Sequence, residues 1–178
     1  IREIRIVGNK AFSESTLLGL MGRSTGGWLT WYTKTDRYSR SELNADLETI
    51  RAYYTNRGYL EFDIESTQVT ISPDKQDIGI TISVREGQPY TVTAVRLEGN
   101  YLGREAAFTR IVSIKPGDPY RRADVAATSK SFGDLFGQFG YAFARTEARP
   151  EIDRAAGQVV VVLTADPQRR VYVRRINV

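Results

Sequence analysis

The stretch Arg5-Ile6-Val7-Gly8-Asn9-Lys10 returns as Arg96-Leu97-Glu98-Gly99-Asn100-Tyr101, 91 residues further along the chain. The match extends past the motif: Leu17, Leu20 and Met21 fall on Phe108, Ile111 and Val112 at the same offset of 91. Beyond that point the offset is 82, and Asp36, Tyr38 and Arg40 align with Asp118, Tyr120 and Arg122. Leu43, Ile50 and Tyr54 then fall on Val125, Phe132 and Phe136, and Gly58-Tyr59 on Gly140-Tyr141. Self-similarity of this kind means one supersecondary unit used twice. The difference in offset places nine extra residues of the first copy between its first and second helices.

Each copy opens with a strand, 2–7 and 90–98, closed by Gly-Asn, a pair suited to left-handed backbone. A short helix follows, with Ser13 as N-cap before the apolar Leu17, Leu20 and Met21. The second helix is more clearly marked. Ser39 and Glu42 form a capping box, Leu43, Leu47, Ile50 and Tyr54 make one stripe, and Gly58 supplies the stop. Two strands complete the unit. Ile78, Ile80, Ile82 and Val84 alternate with smaller or polar residues, so one face is buried and one is wet. Val159 to Leu163 is apolar on both faces, as a central strand would be. The turn between the first pair is expected at Ser72-Pro73-Asp74-Lys75, and Asp74-Lys75-Gln76-Asp77 lacks the spacing of an EF-hand loop. The fold class is therefore α+β, β-α-α-β-β twice over, with units at 1–87 and 88–168. A further strand at 169–178 opens a third unit, and strand-like residues at both ends imply a piece of something longer.

The chemistry is constrained by what is missing. With no cysteine and no histidine among 178 residues, disulfides, thiol nucleophiles, zinc-thiolate sites and histidine-based catalysis are excluded. No Walker, nucleophile-elbow or dinucleotide motif occurs, so no enzyme, metal or cofactor is expected. No apolar run reaches the length of a membrane span. The net charge of +4 comes from scattered arginines and reads as solvated surface. A nucleic-acid module lacks support, since Gly26-Gly27 makes no GXXG clamp and stacking aromatics are missing.

Three segments stand out as candidate sites. Trp28, Trp31 and Tyr32 lie in the loop peculiar to the first copy, where they could anchor a partner or pack on their own core. Gly87, Gln88 and Pro89 form the expected hinge, glycine loosening it and proline stiffening it. In 59–71, Phe62 and Ile64 hold one phase of the alternation while Val69 and Ile71 hold the other. Either a bulge resets the phase or two β-branched residues face outward. Glu65, Ser66, Thr67, Val69, Thr70 and Ile71 would then be an edge open to strand addition. The matching 142–152 carries Arg145, Glu147, Arg149 and Pro150, which obstruct an edge. Gly133, Gly137 and Gly140 suggest close packing of a helix on the sheet, with Gly140 as its stop.

Strand-Gly-Asn openings with Arg57-Gly58-Tyr59 and Phe139-Gly140-Tyr141 after the second helix resemble tandem POTRA domains. Asp46-Leu47-Glu48-Thr49-Ile50-Arg51, Ser66-Thr67-Gln68-Val69 and Pro73-Asp74-Lys75 are similar to the third such domain of the outer-membrane β-barrel assembly machinery. Lys115-Pro116-Gly117 and Pro150-Glu151-Ile152 are similar to the fourth, and 171–176 to the first strand of the fifth. The resemblance implies a three-stranded mixed sheet in the order first, third, second, covered on one face by two helices. It implies the periplasmic face of a Gram-negative outer membrane, with the full-length protein in that membrane. The implied partners are a BamB-like propeller lipoprotein, other lipoproteins of the assembly complex and nascent outer-membrane β-barrel proteins. The lipoprotein would dock on the edge strand, Glu65 giving a polar contact and Val69 and Ile71 filling apolar hollows. A POTRA pair from an outer-membrane secretion or protein-import transporter is the alternative.

Overall fold

The computed structural model describes residues 3–21, 40–71, 73 and 78–170. They form two compact units that divide between Gln88 and Pro89. In the first, β1 (Glu3–Val7), α1 (Glu14–Met21), α2 (Arg40–Thr55), β2 (Asp63–Ile71) and β3 (Ile78–Arg85) follow in order. The second repeats them as β4 (Thr91–Gly99), α3 (Glu105–Arg110), α4 (Arg122–Gln138), β5 (Arg145–Asp153) and β6 (Gln158–Asp166). The sheets run β1-β3-β2 and β4-β6-β5, with the first strand parallel to the central one and the edge hairpin antiparallel. The element order is the one expected from the sequence, and the strand order is the one the resemblance implied.

The repeated Gly-Asn marks the place where the first strand must leave the sheet. Gly8 and Gly99 have φ of +92° and +87°, and a Cβ on either would collide with a carbonyl oxygen, of Val84 or of Ala165. Only glycine meets both demands. The asparagines act through their side chains instead: Asn9 Nδ2 donates to the Phe12 carbonyl at 2.9 Å, and Asn100 Oδ1 accepts from Leu102 N–H at 2.9 Å. Ser13 caps α1 as expected, its Oγ accepting from Thr16 N–H at 3.2 Å. Gly58 and Gly140 end α2 and α4 with φ of +97° and +87°. Tyr59 and Tyr141 donate back to the carbonyls of Tyr54 and Phe136, which satisfies the last turn. Ser39, Ser72 and 74–77 lie outside the described residues, so the capping box and most of the turn do too.

Each core is an aromatic cluster between helices and sheet. Tyr54 stacks on Phe62 with centroids 4.1 Å apart and meets Phe12 and Tyr59 edge-on. Tyr101, Phe108, Phe132 and Phe136 do the same in the second unit. The stripe of α2 behaves as its spacing requires, with Ile50 and Tyr54 fully buried and Leu43 and Leu47 half-buried. Two carboxylates are buried in the first module, Asp46 of α2 and Glu86. Glu86, just past β3, accepts from Lys10 N–H (2.8 Å), Ala11 N–H (3.0 Å) and the Tyr54 hydroxyl (2.6 Å). It thereby ties the chain after Gly8-Asn9 to the end of the central strand.

Two expectations need correction. α3 ends at Arg110, so Ile111 falls beyond it and is 37% exposed; Ile114 enters the core in its place. Gly133 and Gly137 do not permit a close approach, because a Cβ on either would meet nothing within 4 Å. Small residues at helical spacing are ambiguous in this way, since an exposed face tolerates them as readily as a tight one requires them.

The central strand of the second unit poses a problem that its alternation-free sequence announces. Val162 is fully buried although it lies on the sheet face opposite the core. Arg96 of β4 and Arg149 of β5 both pair in register with it. Their side chains close a ring over it with Glu98 and Glu151, through contacts of 3.0 Å, 2.7 Å, 3.1 Å and 3.0 Å. The aliphatic stems shield the valine while the charged ends remain wet. Within the ring, hydrogen bonds from Arg149 and Arg96 hold the Glu98 carboxyl below the usual carboxylate range.

Gly99→Ala should cost more than about 2 kcal/mol of unfolding free energy in urea, from positive φ plus the collision. Gly103→Ala, also at positive φ but with nothing within 4 Å, should cost only about 1 kcal/mol. The buried Tyr101 hydroxyl donates to the Leu163 carbonyl at 2.7 Å, and burial pushes its ionisation up to about 12. Because the neutral phenol belongs to the folded state, its stabilising contribution is complete below about pH 10 and disappears as pH rises toward 12. Phenolate absorbance of wild type against Tyr101→Phe measures this late ionisation.

Candidate functional site

A three-stranded sheet has two edges, and the described edges are treated differently. On β1, Ile6 N–H donates to the Glu14 carboxylate of α1 at 2.8 Å, which occupies that amide. The start of β4 is flanked by the loop before α4: Gly117 N–H donates to the Val92 carbonyl, Val92 N–H to the Asp118 carbonyl and Tyr120 N–H to the Tyr90 carbonyl. β5 is an edge in regular register along its length, and Pro150 within it has no N–H to offer. Its Arg149 and Glu151 turn to the ring over Val162.

β2 is different. Its pairing with β3 slips between Ile64 and Ser66, so Glu65 is an extra residue, a β-bulge. The slip resolves the phase break in the sequence. Directly opposed residues in an antiparallel pair share a face, and Thr67, Val69 and Ile71 oppose Ile82, Ile80 and Ile78. The two β-branched residues therefore face the helix side of the sheet, the side on which Ile80 and Ile82 are buried. They nevertheless remain 56% and 63% exposed. Of the two alternatives read from the sequence, the bulge is the one present, and the residues are exposed on the core-facing side rather than turned outward. The result is an apolar shelf on the core-facing side of an edge that no other described strand pairs.

The bulge is held by ion pairs. Arg85 Nε lies 3.3 Å from Glu65 and Nη2 3.8 Å from Asp63, while Arg51 of α2 reaches Asp63 at 3.5 Å. These contacts are solvent-exposed and worth little in stability each. They flank the slip, beyond which 66–71 pairs without interruption.

Of the other sequence-derived candidates, Gly87 adopts φ of +69° with its α-carbon beside Glu61, and Gln88 and Pro89 are exposed. Trp28, Trp31 and Tyr32 lie outside the described residues, as do 171–178. Among the described residues, no three Asp or Glu are grouped so as to hold a metal ion, and no helix is long and apolar enough to cross a membrane. Sequence reasoning missed Glu86 and the ring over Val162. An acidic residue beside Gly-Gln-Pro looks like surface, and Arg96 and Glu151 stand too far apart in sequence for any local pattern to join them.

Two β-α-α-β-β modules, each with a central strand parallel to the first, define the class of protein. The family model for POTRA, described as a surface antigen variable number repeat, matches 1–87 and again 90–168. The chain belongs to the POTRA family. It is 28% identical over 179 residues to the outer membrane protein assembly factor BamA of Neisseria meningitidis serogroup B, an alignment covering 100% of this chain and 22% of that protein. The BamA of Buchnera aphidicola is 28% identical over 177 residues, covering 99% of this chain and 28% of that one. Among solved structures, the crystal structure of Haemophilus influenzae BamA POTRA3-5 superposes with a TM-score of 0.82 at 27% identity, covering 98% of this chain and 68% of that one. The chain thus spans less than a third of the length of these curated relatives. POTRA domains of BamA are periplasmic, and this chain shares that localisation.

Because Val69 and Ile71 contribute exposed surface rather than core, Val69→Asp and Ile71→Asp should each change unfolding free energy by no more than about 0.5 kcal/mol. Val84→Asp, on the same face but 5% exposed, should prevent folding. Thermal melts followed by circular dichroism separate the two outcomes.

Proposed function

We propose that this chain is part of a periplasmic scaffold for outer-membrane β-barrel protein assembly, and that its first module docks partners by adding a strand to β2. The observation that carries this is the bulged edge with Val69 and Ile71 exposed on its core-facing side. An incoming extended segment would satisfy the open amides and carbonyls of 66–71 and lay alternate apolar side chains on those two residues. Glu65, at the bulge, would offer a polar contact at one end. A BamB-like propeller lipoprotein is the partner for this edge, with nascent outer-membrane proteins as clients of the scaffold. Gly87, Gln88 and Pro89 act as the hinge between modules, with Glu86 anchoring its first-module side. The first POTRA module then comprises 1–87 and the second 88–168, and a third begins at 169–178.

Val69→Asp or Ile71→Asp should weaken lipoprotein binding by more than about 1 kcal/mol, as loss of an interface anchor does. Isothermal calorimetry on the folded variants decides this, and an affinity equal to that of wild type would remove β2 as the docking edge.

A further inference from the structure

In the second compact unit, which begins at Pro89 and includes Arg170, two loops are built to one plan. Asn100 Oδ1 accepts from Leu102 N–H at 2.9 Å, Leu102 is left-handed with φ of +59°, and Arg104 follows two residues later. Asp166 Oδ1 accepts from Gln168 N–H at 3.0 Å, Gln168 is left-handed with φ of +57°, and Arg170 follows two residues later. Leu102 and Gln168 are the two non-glycine residues at positive φ among the described residues. Each costs roughly 1 kcal/mol or more of strain, and each turns the chain just before an arginine.

Both arginines arrive at one hollow of about 610 Å³, lined by Leu102, Arg104, Phe139, Gly140, Tyr141 and Arg170. The Arg104 guanidinium lies 4.3 Å from the centre of the Phe139 ring, which orients it by a cation–π contact. Arg170 lies against Gly140, where a Cβ would come within 3.1 Å of its Nε. The glycine that ends α4 thus also makes room for the second guanidinium. We propose that this hollow binds a short acidic peptide segment, taking a carboxylate between Arg104 and Arg170 and an adjoining apolar side chain against Phe139, Tyr141 and Leu102.

Charge and shape select this occupant. Each guanidinium carries five N–H donors in a planar fork that matches a carboxylate and can serve it alongside contacts within the protein. Aromatic and aliphatic walls beside the charges disfavour a bare inorganic ion, which would leave them unused. A lipid would need an extended apolar channel for its chains, and the hollow is bounded by the ends of a few short loops. The site belongs to the second unit and β2 to the first, and neither proposal rests on the other.

The test is amide chemical-shift titration of the whole 178-residue chain with an N-acetylated, C-amidated hexapeptide, Gly-Phe-Asp-Phe-Gly-Ser. Saturable shifts at 102–104 and 138–141 are expected, with affinity falling roughly 10-fold in Arg104→Ala and in Arg170→Ala, as for loss of a charge-assisted contact. Arg104→Lys, which keeps the charge without the fork, should fall between. The same peptide with Asn for Asp should bind weakly or not at all. An Asn peptide with a free C-terminal carboxylate tells whether a chain terminus can supply the group instead of a side chain, and binding by either carboxylate supports the site. Spectra of both alanine variants must superpose on wild type elsewhere, so that a folding defect is read as such. Equal binding of the Asp and Asn peptides would overturn the proposal. So would equal shifts from inorganic phosphate alone, or arginine-dependent binding to anionic phospholipid vesicles without any to the peptide.

Discussion

Everything in each module follows from the point where the first strand parts from the central one. At Gly8 and Gly99 an α-carbon presses on a carbonyl of the neighbouring strand while the backbone turns left-handed. A parallel pair cannot be joined by a tight turn, so the chain must leave, cross the sheet as helices and return. The close approach sets where that departure happens. It thereby sets which residues of the helices meet the sheet. In the first module Glu86 secures the departing chain from the other side, by accepting two of its amides and the Tyr54 hydroxyl. In the second, Pro167 is buried just past the end of β6, and the Tyr101 hydroxyl donates to the Leu163 carbonyl of the central strand instead.

The two modules also differ in how they finish the face that the helices leave bare. The first places Gly79, Thr81 and Ser83 there and needs no cover. The second places Val160 and Val162 there and covers the latter with two arginines and two glutamates drawn from the flanking strands. Screening makes such exposed pairs weak as sources of stability. Their stems still exclude water from a valine, and their ends keep the surface soluble.

Much of this was legible in the sequence because it is local or periodic. The repeat gave the modules, the stripe from Leu43 to Tyr54 gave a helix and its buried face, and the mismatch between Ile64 and Val69 pointed to the bulge. What escaped was non-local or conformational. The ring over Val162 joins β4 and β5 across β6, the burial of Glu86 depends on amides 75 and 76 residues away, and the left-handed Leu102 and Gln168 are not residue types that advertise that conformation. The spacing of Gly133 and Gly137 suggested tight packing that is not there, because spacing says which residues share a face but not what lies opposite.

The bulge at Glu65 has a consequence for how this strand could have arisen. Ile64 and Ser66 oppose Val84 and Ser83, which are themselves consecutive. Loss of the single codon for Glu65 would therefore leave an ordinary strand with every other pairing intact and Val69 and Ile71 on their present face. Loss of a codon anywhere from 66 to 68 is absorbed in the same way, because Glu65 then takes a regular pairing opposite Ser83 and Val69 still opposes Ile80. The extra residue is confined to one shift with regular pairing on either side, so it bends and aims an edge without disturbing the sheet that carries it.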